Sequence, residues 1–169
     1  MKNFIYFIIV FFCLSSYSSP MPLGLELSKT TALDLAKKYK ITLKEMNYWR
    51  GYNYFIDVND IKAENVSKAL VICNDFSVVE AVMLSIDNNK FEELYDILKN
   101  KYSLVDNLKD HEGTRTVTFS DDNCLVILES YELNPKLELV YITNNFYKDF
   151  LNKLDKEEKL KQGQIKELL

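Results

Sequence analysis

The chain has 169 residues, 47% hydrophobic and 27% charged, the balance of a globular chain and not of a disordered one. Its formal net charge of −4 argues against nucleic acid as a partner, which would ask for a basic patch or stripe. With only 4 Gly and 3 Pro there is little room for long linkers, so one domain, or two small half-domains, is expected.

Residues 1–18 read as a leader. Met1-Lys2 gives a positive end, and Phe4 to Leu14 is an unbroken apolar run. A run of this length suits a signal-peptide core and is too short for a bilayer, which takes about 20 residues. Small residues Ser16 and Ser18 then predict cleavage after Ser18 and an exported protein, periplasmic or secreted, with no transmembrane segment after cleavage. An uncleaved anchor or a core helix is the alternative. Cys13 follows Phe12, where a lipid-anchored cysteine would need a small residue.

Pro20 and Pro22 keep the next stretch extended, and Leu23 to Leu27 alternate as a short lead-in. Thr31, with Asp34 three positions on, resembles a capping box. Ala32, Leu35, Ala36 and Tyr39 follow on one helical face. Thr42 to Glu45 carry a second capping-box pattern, which predicts either a short helix over 43–49 ended by Gly51 or an irregular loop. Alternation then predicts strands over 52–58, 66–72 and 78–86.

From Asp87 the order starts again. Asn88 or Asn89 caps a helix with Phe91, Leu94, Tyr95, Leu98 and Tyr102 on its apolar face. A polar connection over 103–113 leads to strands over 114–120, 124–130 and 136–142. A closing helix, capped by Thr143 or Asn144, shows Phe146, Phe150 and Leu154 on one face. The charged tail over 156–169 is expected to break at Gly163 and to fray.

Two repeats, about 23–86 and 87–142, therefore each read as a helix and three strands. Lys38-Tyr39 matches Lys101-Tyr102, and Leu35 matches Leu98. Leu27-Ser28-Lys29-Thr30-Thr31, followed by Leu35, is similar to the entry of β-lactamase-inhibitor-protein-like modules, whose single-unit relatives include a small outer-membrane assembly lipoprotein. Ser28 stands where those modules carry glycine. The resemblance implies protein binding or envelope assembly, and no catalytic residue. The fold expected is α+β: one domain over 19–155, a largely antiparallel sheet with helices on one face, and a C-terminal helix.

Chemistry is sparse. The single histidine, His111, lies in a polar loop without a second His, so it reads as a solvated side chain, and a Cys124–His111 nucleophile is disfavoured. Asp57 to Glu64 lacks the oxygen donor and glycine of a calcium loop, because Ile61 and Lys62 stand there. No metal or cofactor is expected. Cys73 and Cys124, an even pair in an exported chain, make a candidate disulfide, with two buried thiols as the alternative.

The aromatic run supplies the candidate binding residues: Tyr48, Trp49, Arg50 and Tyr52. Tyr and Trp are enriched at interfaces, although Tyr52, Tyr54 and Phe55 also fit core packing. The reading is a non-enzymatic module for a protein or peptide partner. The alternatives are a carrier of a small apolar ligand or lipid and, less favoured, a hydrolase.

Overall fold

The computed structural model describes residues 20–110 and 113–167, the side chains of 163–167 excepted. The leader read over 1–18, and His111, lie outside the described residues. The fold is α+β. Helix α1 (Ala32–Lys38) precedes strands β1 (Ile41–Met46), β2 (Tyr52–Ile56), β3 (Val66–Cys73) and β4 (Val79–Asp87). Helix α2 (Phe91–Lys101) precedes β5 (Ser103–Lys109), β6 (Arg115–Asp121), β7 (Cys124–Ser130) and β8 (Lys136–Thr143), and helix α3 (Asn144–Glu167) closes the chain. All eight strands join one antiparallel sheet in the order β1-β2-β3-β4-β8-β7-β6-β5.

The capping box forms. Thr31 Oγ1 accepts from the Asp34 N–H at 3.2 Å, and the Asp34 carboxylate accepts from the Thr31 N–H. The hydrogen bonds hold the Asp34 carboxyl below its usual range, the Thr31 side chain contributing most. Ahead of α1, the Leu25 and Leu27 side chains are buried, and the chain turns at Ser28 with φ of 61°. That left-handed conformation suits glycine. Ser28 adopts it because its N–H donates to Val79 O, while the Val79 N–H donates to Thr30 O, so the turn is pinned on both sides to the start of β4.

Two strands were not expected. Residues 41–46 form β1 where the capping pattern predicts a short helix or loop, and residues 103–109 form β5 where the polarity predicts a connection. Both lie at the edges of the sheet and carry a bulge, between Leu43 and Glu45 and between Leu104 and Asp106. An edge strand covered on neither face need not alternate, and an extra residue breaks whatever period it has. The sheet therefore has eight strands where six were read. Asn88 does not cap α2. It sits in a 3-10 turn, donates to Asn134 O at 3.0 Å and accepts from Ser130 Oγ at 2.6 Å, so it ties the helix entry to the β7–β8 turn. Helix α3 runs through Gly163 to Glu167. One glycine costs about 1 kcal/mol, and the Lys153–Glu157 and Lys159–Asp155 pairs at i,i+4 support the turns that precede it.

Alternate residues send the sheet's two faces into two clusters. Val71, Val82, Leu84, Val117, Phe119, Val126, Leu128, Leu137 and Leu139 bury one face against Leu35 of α1 and Phe91 and Leu98 of α2. Ala81 and Ile142 bury the opposite face against Phe146 of α3, with Trp49, Ile72, Leu125, Ile127, Val140 and Tyr147 packed around them. Helix α3 thus lies on the face away from α1 and α2.

Candidate functional site

Strands β1 and β2 meet in a hairpin whose tip carries the candidate binding residues. Asn47 builds that tip. Its Oδ1 accepts from the N–H groups of Trp49 and Gly51 at 3.0 and 3.1 Å, and its amide donates to Cys73 O at 2.8 Å. Gly51 is required by close approach, since a Cβ there would stand 2.0 Å from Cys73 O. Arg50 turns the chain with φ of 62° and stays exposed. Glycine next to a left-handed residue explains why the run ends in Arg50-Gly51.

The tip splits the aromatic residues into two roles. Tyr48 is 67% exposed, and Tyr52 and Met46, paired across the hairpin, are exposed as well. Trp49 instead turns inward onto α3. Its ring centroid lies 4.4 Å from that of Phe146 and 6.0 Å from that of Phe150, while the Lys153 ammonium reaches over Tyr48 and Trp49. Aromatic and cationic contacts of this kind stabilise by roughly 0.5–1.5 kcal/mol each beyond burial. Trp49 is therefore a clasp for the last helix, and Tyr48, Arg50 and Tyr52 are the surface part of the group. Phe76, 81% exposed in the β3–β4 turn, lines a cleft with Trp49 and adds to that surface, and sequence reading missed it.

Between α3 and the sheet lies a cavity of about 300 Å³. Ile72, Ala81, Met83, Ile127, Val140 and Ile142 form its sheet side, and Phe146, Tyr147, Phe150 and Trp49 its roof. Glu129 is the one charged side chain lining it. The stripe Phe146–Phe150 in the sequence showed that α3 needed an apolar partner, but not which face of the sheet supplied it.

Glu80 on β4, also missed by sequence reading, accepts from three side chains. Thr143 Oγ1 donates to it at 2.6 Å, the Asn74 amide at 2.7 Å and Ser28 Oγ at 3.4 Å. These bonds join the lead-in, the β3–β4 turn and the end of β8. Glu80 acts here as an acceptor that fastens three segments.

The two cysteines are separate buried thiols. Cys73 sits on β3 and Cys124 on β7, with β4 and β8 between them. Three strand spacings amount to roughly 14 Å, about twice the Cα separation a disulfide tolerates. Burial pushes both thiols up to about 11, with the Glu80 charge adding to it at Cys73 and the Asp121 and then the Glu80 charge at Cys124. Asp57 and Asp60, read as poor calcium ligands, accept from the backbone N–H groups of Asn59 and Lys40 and build a turn. Among the described residues no group of three or more His, Cys, Asp or Glu could hold a metal ion. Among them also, no helix is long and apolar enough to cross a membrane.

Compared with protein families, curated proteins and solved structures, the chain matches none.

Proposed function

We propose that the chain is an exported, non-enzymatic module that binds a protein or peptide partner through the tip of its β1–β2 hairpin. The observation that carries this reading is the exposure of Met46, Tyr48, Tyr52 and Phe76 around a Trp49 that is itself held by ring contacts with Phe146 and Phe150. Rigid, amphipathic rings beside an Arg match the composition of interface hot spots. The strained φ of Arg50 adds to it, because unfavourable backbone states cluster where a side chain must be aimed.

The chain order supports a duplicated unit. Each half runs helix then four strands, each helix ends in Lys-Tyr, and each first strand is a bulged edge. Export rests on the leader read in residues 1–18, and the intact mass of protein recovered outside the cytoplasm tests it. A start at Ser19 is expected; retention of Met1 defeats it.

The binding surface is tested with a photo-crosslinking residue placed at Tyr48 or Phe76 in the producing cell, against a control at the still more open Leu133 in the β7–β8 turn. A discrete adduct from the first two positions and not from Leu133 is expected. Adducts of equal yield from all three sites, or from Leu133 alone, defeat the reading.

One observation favours a second reading, a carrier of a small apolar ligand: the almost wholly apolar lining of the cavity beneath α3. Its volume lies at the lower end of ligand sites, which span about 300–1,000 Å³.

A further inference from the structure

The face beneath α3 can be followed row by row from the strand register. Ile72, Ala81, Ile142 and Leu125 stand side by side across β3, β4, β8 and β7. The next row on the same face is Leu70, Met83, Val140 and Ile127, and the one after it is Lys68, Ser85, Glu138 and Glu129. Two apolar rows therefore end on two carboxylates that face each other directly across the β7–β8 pair.

Like charges placed directly opposite across a strand pair are destabilising. Here hydroxyl groups are the donors. Ser85 Oγ donates to Glu138 at 2.6 Å, and Thr116 Oγ1 to Glu129 at 3.3 Å. The cations close by are engaged elsewhere. Lys136, two positions from Glu138 on its strand, pairs with Asp87, and the Lys68 ammonium lies over the Phe55 ring. At the other end, Lys153 of α3 is held over Tyr48 and Trp49 and pairs with Glu157. The cavity thus has an aromatic end at Trp49 and Phe146 and a negative end at Glu129.

From the Ala81 row to the Glu129 row is four residues, or about 14 Å. At roughly 30 Å³ for a water-sized group, the cavity volume holds about ten such groups, the bulk of a chain of about ten carbons. A chain with an anionic head would bring a third negative charge to the Glu129–Glu138 pair, and a neutral one would leave that pair as it is. A cationic head supplies the missing counter-charge.

Resting on the carrier reading, we propose that the cavity beneath α3 binds a linear aliphatic chain with a cationic, amine-type head, the chain under Trp49 and the head at Glu129 and Glu138.

Trp49 is the protein's single tryptophan and lines the cavity, so its emission reads occupancy directly. The full mature chain is titrated with decyltrimethylammonium, decanol and decanoate, each below its micellar concentration. A saturable change in Trp49 emission is expected with all three, the cationic probe binding about tenfold more tightly than decanoate. In the isosteric Glu129→Gln/Glu138→Gln variant that ratio should fall to within about twofold, with decanol unchanged. No response to any probe overturns the carrier reading and the inference together. Equal binding of the cationic and anionic probes by the native chain, with decanol bound, overturns the head-group assignment alone. A preference that survives in the double variant also overturns it.

Discussion

Arg50 holds a left-handed backbone that costs a side-chain-bearing residue about 1–2 kcal/mol, and Asn tolerates it better. Arg50→Asn should therefore raise stability by about 0.5–1 kcal/mol, seen as a higher urea midpoint. If Arg50 belongs to the binding tip, the same variant weakens partner cross-linking. A lower midpoint would show that the guanidinium contributes to the fold. The thiols make a second residue-scale case. Cys73 and Cys124 keep their protons up to about 11 when folded, whereas an ordinary thiol loses its proton near 9. Above pH 9 the unfolded chain binds fewer protons than the folded one, so stability falls as pH rises from about 9 through 11. Below that window the thiols' contribution is fully present. The urea midpoint should drop between pH 8 and 10.5, and drop less in the Cys73→Val/Cys124→Val variant. Burial also pushes the Tyr141 hydroxyl up, so some of the alkaline loss should remain.

At the scale of elements, what could be read from the sequence depended on burial. Helix α2 was legible because Phe91, Leu94, Leu98 and Tyr102 face one core, and β7 and β8 because Val126, Leu128, Leu137 and Leu139 alternate into it. Strand β1 was not, since Thr42 to Glu45 satisfy a helix-start pattern and five of its six residues are exposed. Strand β5 was hidden in the same way, with every residue exposed and a bulge at its centre. The candidate site was half legible. The aromatic run marked the right hairpin, but nothing local separates Trp49, which faces α3, from Tyr48, which faces solvent. That division is made by the Asn47 turn and by Phe146 and Phe150, about a hundred residues later. Trp49→Ala tests the clasp. Loss of a half-buried indole should cost about 2 kcal/mol at α3. Amide exchange should rise over 146–153 while β4, β7 and β8 keep their protection. Uniform loss of protection across the sheet would show that Trp49 supports the whole core and not the helix.

For the whole molecule, the strand order decides how the halves depend on each other. Strand β4 pairs with β8 along seven residues, from Ala81↔Ile142 to Asp87↔Lys136, and this seam joins the sheet halves. Each half has its own helix and its own run of four strands. A chain cut within the turn Asn88–Lys90 should therefore reassociate from two co-expressed pieces, recovered as one complex by size exclusion. Failure of the pieces to copurify would show that the seam needs the covalent link.

The seam also sets a timetable. Residues 20–87 emerge from synthesis first, and their last strand, β4, has one side open until residues 136–143 exist. Its central residues, Ala81, Val82 and Leu84, are among the most apolar of the sheet. An unpaired apolar strand invites pairing with another chain, and long-range closure is slow. In the finished protein the exposed edges belong instead to the bulged strands β1 and β5. The order of the strands thus moves the adhesive surface from the rim of the sheet to its middle, where only an incomplete chain exposes it. A chain truncated before residue 136 should accordingly aggregate through its β4 edge, although every residue of its own half is present.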